Sequence, residues 1–257
     1  MTVLSRFSNK VVIVTGGGSG IGQAVVRRVV SEGGIVIAID VNETGLKAGV
    51  KQTEKIAAAG GRYSFKVGSI SDEETVKKII QEVVDQEGRL DVLINVAGIL
   101  RSSKFTETSL EEFMEPITVN LVGTFLTCRE AMPHLIKTKG NIVNCASTSA
   151  RFGHPYMAGY SASKGGVEAM TKALSWEYMK EGVRVNAVCP GGISTPMKES
   201  QGERMGGLDQ SLFAHLMRID YTCGEPDHVA AVFAMLASAD GSFMTGEIVK
   251  VDGGVHN

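Results

Sequence analysis

Residues 11–22 read Val11-Val12-Ile13-Val14-Thr15-Gly16-Gly17-Gly18-Ser19-Gly20-Ile21-Gly22, an apolar β-branched run that passes directly into a glycine-rich turn. Branched side chains are stiff at χ1 and suit a pleated strand. The stretch that follows, about 20–32, carries Val25, Val29 and Val30 at helical spacing, so the unit reads strand, turn, helix. In that setting glycines let a backbone approach a pyrophosphate at a helix N-terminus, where unpaired N–H groups favour an anion. The spacing is G-x-x-x-G-x-G, fixed by Gly16, Gly20 and Gly22, with Ser19 and Ile21 beside them. A glycine turn of this kind also serves as a bare tight connection.

The same rhythm continues along the chain. Short apolar runs at 35–39, 63–67, 92–95, 141–145, 183–188 and 248–251 alternate with helical patterns at about 43–59, 72–87, 109–136, 160–180 and 226–238. Alternation of this kind predicts a parallel sheet with helices on both faces. No internal repeat, low-complexity tract or Pro/Ser-rich linker interrupts it, so residues 1–257 read as a single domain. The segment from about 194 to 224 breaks the rhythm. It is punctuated by glycine and carries Met197, Met205, Leu208, Leu212, Phe213, Leu216 and Met217, which suits either the core of a lid or a substrate surface, substrate contact being preferred.

With 257 residues, 43% of them hydrophobic, the chain can bury a large core. A formal charge of −2 gives no electrostatic reason to expect nucleic acid or an anionic membrane as partner, so a small molecule is expected. Cys128, Cys145, Cys189 and Cys223 form no C-x-x-C pair and are expected to be reduced and mostly buried. No apolar signal core precedes Lys10 and no stretch approaches the roughly 18 apolar residues of a membrane span, so a cytoplasmic location is expected. Neither a G-x-S-x-G elbow nor an H-E-x-x-H arrangement occurs, which sets hydrolases aside.

The second strand ends in Asp40, placed to accept hydrogen bonds from ribose hydroxyls and to repel a 2′-phosphate, or else simply to cap the next helix. Tyr160 and Lys164 stand four apart at a helix start and share one face. A free phenol has a pKa of about 10, and a nearby ammonium favours its anion, so Tyr160 could exchange a proton. Such pairs also occur on solvated helix faces. Ser147 follows the apolar run 141–145, at the carboxyl edge of the sheet where open α/β folds bind ligands. His154, six residues before Tyr160, reads as a loop contact near the pocket mouth, and Cys145 as a small buried hydrophobe.

Taken together, Gly16, Gly20 and Gly22, Asn95-Val96-Ala97-Gly98, Asn120, Ser147, Tyr160, Lys164, and Pro190-Gly191 followed by Thr195 resemble the short-chain dehydrogenase/reductase family over nearly the whole chain. The resemblance implies a Rossmann-type doubly wound parallel sheet of about seven strands. It implies that Tyr160 is the general acid and base, that Lys164 lowers its pKa and holds the nicotinamide ribose, and that Ser147 binds the substrate oxygen. Asn120 would hold a water that relays protons. Gly16, Ser19, Gly20, Ile21, Gly22, Asp40, Ser69, Ile70, Asn95, Ala97, Gly98, Pro190, Gly191, Ile193 and Thr195 would contact the cofactor. No metal is implied. Two departures are Ser69, where relatives usually carry an aspartate toward adenine, and Val96, in place of a second asparagine.

Asp40, with Ser19 where phosphate-preferring relatives often place Arg or Lys, favours NAD(H) over NADP(H). The expected activity is interconversion of a secondary alcohol and a ketone by hydride transfer, with the substrate loop at about 194–224. A 3-oxoacyl-thioester (acyl carrier protein) reductase and a non-catalytic nucleotide-binding sensor are the alternatives. Relatives are usually homotetramers, which implies the same here.

Overall fold

A computed structural model describes residues 5–57, 60–204, 207–220 and 222–256. Met205 and the last two residues of the expected helix 43–59 lie outside them. Seven strands, β1 (Val11–Thr15), β2 (Ile35–Asp40), β3 (Arg62–Val67), β4 (Val92–Asn95), β5 (Asn141–Cys145), β6 (Arg184–Pro190) and β7 (Ile248–Val251), form one sheet in the order β3-β2-β1-β4-β5-β6-β7. Every pairing is parallel. The order reverses between β1 and β4, which opens a crevice beyond the carboxyl ends of those strands.

Strand periodicity divides the core in two. Val12, Val14, Val36, Ala38 and Ile94 face one layer with α1 (Gly20–Ser31) and the later helix Pro226–Ala237; Val11, Ile13, Ile37, Ile39 and Leu93 face the other with helices Glu73–Glu87 and Gly123–Thr138. Strands buried on both sides read as continuous apolar runs, which is why 11–14 and 92–94 show no polar alternation.

The remaining helices are α2 (Glu43–Glu54), α3 (Glu73–Glu87), α4 (Leu110–Pro116), α5 (Gly123–Thr138), α6 (Ala158–Glu177), α7 (Pro196–Arg204) and α8 (Pro226–Ala237). The single helix expected at 109–136 is divided: α4 ends at Pro116 and a π-helical turn, Ile117–Val122, leads into α5. Proline has no N–H to give the preceding turn, and the wider i→i+5 turn takes up the mismatch. The expected strand 183–188 begins one residue late because the Val183 N–H closes the end of α6 on the Tyr178 carbonyl. No helix among the described residues is long and apolar enough to cross a membrane.

Candidate active site

Loops at the carboxyl ends of β1, β2, β4, β5 and β6 line one cavity of about 550 Å³. The β1 turn forms its floor. Gly16 has φ +72°, and a Cβ there would stand 2.7 Å from the Ala97 nitrogen; a Cβ on Gly22 would stand 2.0 Å from the Gly16 carbonyl oxygen. Both positions therefore require glycine. Ser19 precedes α1 in extended conformation without a side-chain cap, and the first turn holds no acidic residue. By contrast, Asn42 caps α2 and Asp72 caps α3 with their side chains. The uncapped N–H groups of α1 are thus left for an anion.

Asp40 does not cap α2, a role taken by Asn42. Asp40 instead lines the cavity and accepts from the Gly18 N–H at 2.9 Å and from the Asn42 N–H at 2.9 Å. On the far side of the turn, Thr15 Oγ1 accepts from the N–H groups of Val96 and Ala97, joining the ends of β1 and β4. Ser69 Oγ is within 2.8 Å of Ser71 Oγ, and Ile70 is buried against Gly123. Ile21, Gly98, Pro190, Gly191, Ile193 and Thr195 also line the cavity, as do Ser19, Gly20, Ser69, Ile70 and Ala97. A glycine cradle at an uncapped helix start, with an acid at the next strand end, fits a dinucleotide.

The sequence reading placed two residues in the site that do not reach the cavity wall. Asn95 is 2% exposed and its amide is committed to the interior: Nδ2 donates to Asn144 Oδ1 at 3.0 Å, and Oδ1 accepts from Thr127 at 2.9 Å. It turns inward because β4 is covered on both faces, so its side chain must find polar partners in the core. Asn120 sits in the π-turn, where both amide hydrogens are taken by the Ile99 carbonyl and Ser163 Oγ and its Oδ1 accepts from the Ile99 N–H. It braces the loop after β4, and both its Oδ1 and Lys164 Nζ fall within 3.4 Å of where a Gly98 Cβ would be.

Ser147, Tyr160 and Lys164 converge on the same cavity. Each is nearly buried, at 8%, 8% and 4% exposure. Lys164 Nζ lies 5.9 Å from the Tyr160 ring centroid and donates to the Cys145 carbonyl at 2.8 Å. Burial pushes the Tyr160 phenol above its ordinary value, against a lowering hydrogen bond from Ser147; burial pushes the Lys164 ammonium down.

His154 lines the cavity with Nε2 at 3.4 Å from Thr148 Oγ1, and burial first, then His256 and His215, lowers its pKa to about 4. All four cysteines are free; Cys128 and Cys189 are buried, whereas Cys145 and Cys223 are half-exposed and line the cavity. The segment expected to begin at 194 and end near 224 is pinned at its base by a bridge between Ile193 and Gly224. Met197, Phe213, Leu216 and Met217 line the cavity, while Leu208 and Leu212 do not. Arg218, within the expected loop, also lines it, and sequence reasoning missed Asp252 and His256, which do so too. No local motif in the sequence marks these two, which follow β7.

A family model described as enoyl-(acyl carrier protein) reductase matches residues 16–256. The chain is 37% identical to the 3-oxoacyl-(acyl-carrier-protein) reductase of Thermotoga maritima, over 97% of this chain and 99% of that protein. It is 38% identical to a meso-2,3-butanediol dehydrogenase of Serratia marcescens, over 97% and 95%. A solved short-chain dehydrogenase from Mycobacterium paratuberculosis bound to NAD superposes with a TM-score of 0.89 at 26% identity, covering 97% of this chain and 98% of that one. With this match along its length, its doubly wound sheet and its glycine cradle, the chain belongs to the short-chain dehydrogenase/reductase family of oxidoreductases, which bind nicotinamide cofactors.

Proposed function

We propose that the chain is an NAD(H)-dependent oxidoreductase that interconverts a secondary alcohol and a ketone, with Tyr160 as general acid and base. The observation that carries this reading is one cavity with Asp40 and the α1 glycine cradle along it and Ser147, Tyr160 and Lys164 buried in its wall. A bound nicotinamide would take hydride from the carbinol carbon or return it to the carbonyl, and its oxidised ring would favour the Tyr160 anion.

The protein's own groups do the rest. Ser147 and Tyr160 donate to the carbonyl oxygen as charge develops on it, in a wall that excludes water and so strengthens each bond. In reduction the phenol hydrogen passes to that oxygen; in oxidation the hydroxyl proton passes to the phenolate. Lys164 keeps a positive charge near the exchange, while Asn120, its amide taken up by Ile99 and Ser163, holds the loop after β4 in place behind Gly98. Asp40 accepts the adenosine ribose hydroxyls and disfavours a 2′-phosphate. Segment 194–224 closes over the substrate.

The exposed apolar residues Val122, Phe125, Trp176 and Met179 on the π-turn, α5, α6 and the turn after α6 support a homotetramer, which light scattering would contradict with a monomeric mass. Four free cysteines suit a reducing compartment such as the cytoplasm. A second reading, reduction of a 3-oxoacyl thioester, is favoured by the family model and by the Thermotoga relative; Asp40 weighs against the NADPH that such enzymes usually prefer.

The test is nicotinamide absorbance with NAD+ and NADP+ against secondary alcohols, and NADH and NADPH against ketones and an acetoacetyl thioester. Turnover with NAD(H) is expected, falling about 10²- to 10⁴-fold in Tyr160→Phe while cofactor affinity is retained. NADPH-dependent turnover of the thioester alone would favour the second reading. NADH binding without any turnover would shift weight to a substrate outside this panel or to a sensor role.

A further inference from the structure

Ser147 stands on the loop that leaves β5, and that loop is fastened to α6 on both sides of it. Two residues earlier, the Cys145 carbonyl accepts from Lys164 Nζ at 2.8 Å. Four residues later, Arg151 Nε donates to Glu168 Oε2 at 2.8 Å. Tyr160, Lys164 and Glu168 follow one another at four-residue spacing, so they share one face of the helix. Between Ser147 and Arg151 the chain makes a single 3-10 turn, Thr148–Ala150. The Ala150 N–H donates to the Ser147 carbonyl at 3.0 Å and the Arg151 N–H to the Thr148 carbonyl at 3.1 Å. Where Arg151 is held, Ser147 is held with it.

Glu168 is 7% exposed, and its second oxygen is engaged as well. Oε1 accepts from the Cys189 thiol at 3.6 Å. Burial first, then Glu168 itself, pushes that thiol up to about 12, so it keeps the proton it donates. Cys189 lies on β6 next to Pro190, which lines the cavity. One carboxylate thus joins the Ser147 loop, the helix of Tyr160 and Lys164, and a strand end that meets the cavity. A buried ion pair is a weak source of net stability, and well-packed apolar side chains often serve as well. What they cannot supply is a directed bond from the helix to Arg151.

Resting on the alcohol–ketone activity proposed above, we infer that Glu168 is a positioning residue: through Arg151 it sets Ser147 opposite Tyr160, so that both hydroxyls meet the substrate oxygen. Ser147 is within hydrogen-bond reach of the phenol, and both line the cavity. Glu168 and Arg151 do not line it, so their effect passes through Ser147. Ser147 binds the substrate oxygen most strongly as charge develops there, and a misplaced hydroxyl therefore lowers kcat more than it raises KM.

The test measures kcat and KM in the intact protein with NAD+ and the secondary alcohols of the panel above. Glu168→Ala should lower kcat about 10- to 100-fold, with KM and the Kd for NADH held within about threefold. Glu168→Gln keeps an oxygen for Arg151 Nε and should recover most of the loss. If Glu168→Ala does not fold, Arg151→Ala breaks the same tether from its exposed end and should lower kcat alike. In a Ser147→Ala background either change should cost less than about threefold more, because the residue it places is gone. An unchanged kcat in Glu168→Ala or Arg151→Ala, or the full loss repeated in the Ser147→Ala background, overturns the role of Glu168 and leaves the oxidoreductase reading intact. Wild type that binds NADH yet turns over no alcohol, ketone or thioester removes the activity on which this inference rests, and the inference falls with it.

Discussion

Asn95→Ala separates a structural role from a cofactor contact. In the wild-type core, Asn95 and Asn144 are register partners on β4 and β5, joined by the 3.0 Å bond from Nδ2 to Oδ1. Asn144 Nδ2 passes the chain on to Thr171 Oγ1 at 2.9 Å on α6, the helix that carries Tyr160 and Lys164. Truncation removes the Thr127 bond to Asn95, although Thr127 still reaches the Gly123 and Thr124 carbonyls. It leaves Asn144 Oδ1 with only the weak Cys128 thiol at 3.8 Å. One lost net hydrogen bond and one orphaned buried acceptor together cost about 3 kcal/mol. For a chain of this size that is a fall in Tm of about 6–12 °C. The assay pairs thermal unfolding, at one protein concentration, with NADH titration well below both transitions. Cofactor affinity should hold within about threefold, because the amide does not reach the cavity wall. A Tm unmoved by more than about 2 °C together with a tenfold weaker Kd would refute the assignment.

Gly22→Ala should yield protein that does not bind NADH at all, since its Cβ would meet the Gly16 carbonyl oxygen at 2.0 Å; wild-type affinity in a titration would contradict the loop geometry. Asp40→Ala combined with Ser19→Arg exchanges a repelling carboxylate for a phosphate-binding fork and should move the kcat/KM ratio toward NADP(H) by about 10- to 100-fold. An unchanged ratio would show that Asp40 is not the ribose acid. Burial raises the Tyr160 phenol, so the proton stays on through neutral pH. The base form needed for oxidation therefore grows as pH rises, while the acid form needed for reduction does not. Alcohol oxidation should climb from about pH 7 to about pH 9 with ketone reduction nearly flat, and a fall in oxidation over that window would remove Tyr160 from the proton transfer.

Much of the fold could be read from residues 11–22 and their echoes, because a strand covered on both faces must be apolar throughout and a glycine such as Gly22 has no substitute where backbones nearly touch. The limits have particular causes. Pro116 stood in the expected helix 109–136, but only the π-turn shows how the chain passes it and where that turns Asn120. Asn95 sits beside the cavity-lining Val96, Ala97 and Gly98, and sequence position alone cannot say whether its amide faces a ligand or Asn144. His256 lies 102 positions from His154 in the chain; the sheet order, with β7 next to β6 and β6 next to β5, brings the two rings together.

The charges in the cavity explain why burial does not defeat the proposed chemistry. Burial disfavours both the Tyr160 anion and the Lys164 cation, so neither is stabilised merely by being inside. Arg218 is neutralised by Asp220, whereas no carboxylate among the described residues pairs with Lys164, which donates to the Cys145 carbonyl. Its charge is left for whichever oxygen becomes negative as hydride moves. In a wall of low polarity that attraction is strong, and it arises only when charge develops, not in the resting state. An ion pair between Lys164 and a fixed acid would quench that response. The absence of such a partner at Lys164 is thus as much a part of the proposed mechanism as the phenol itself.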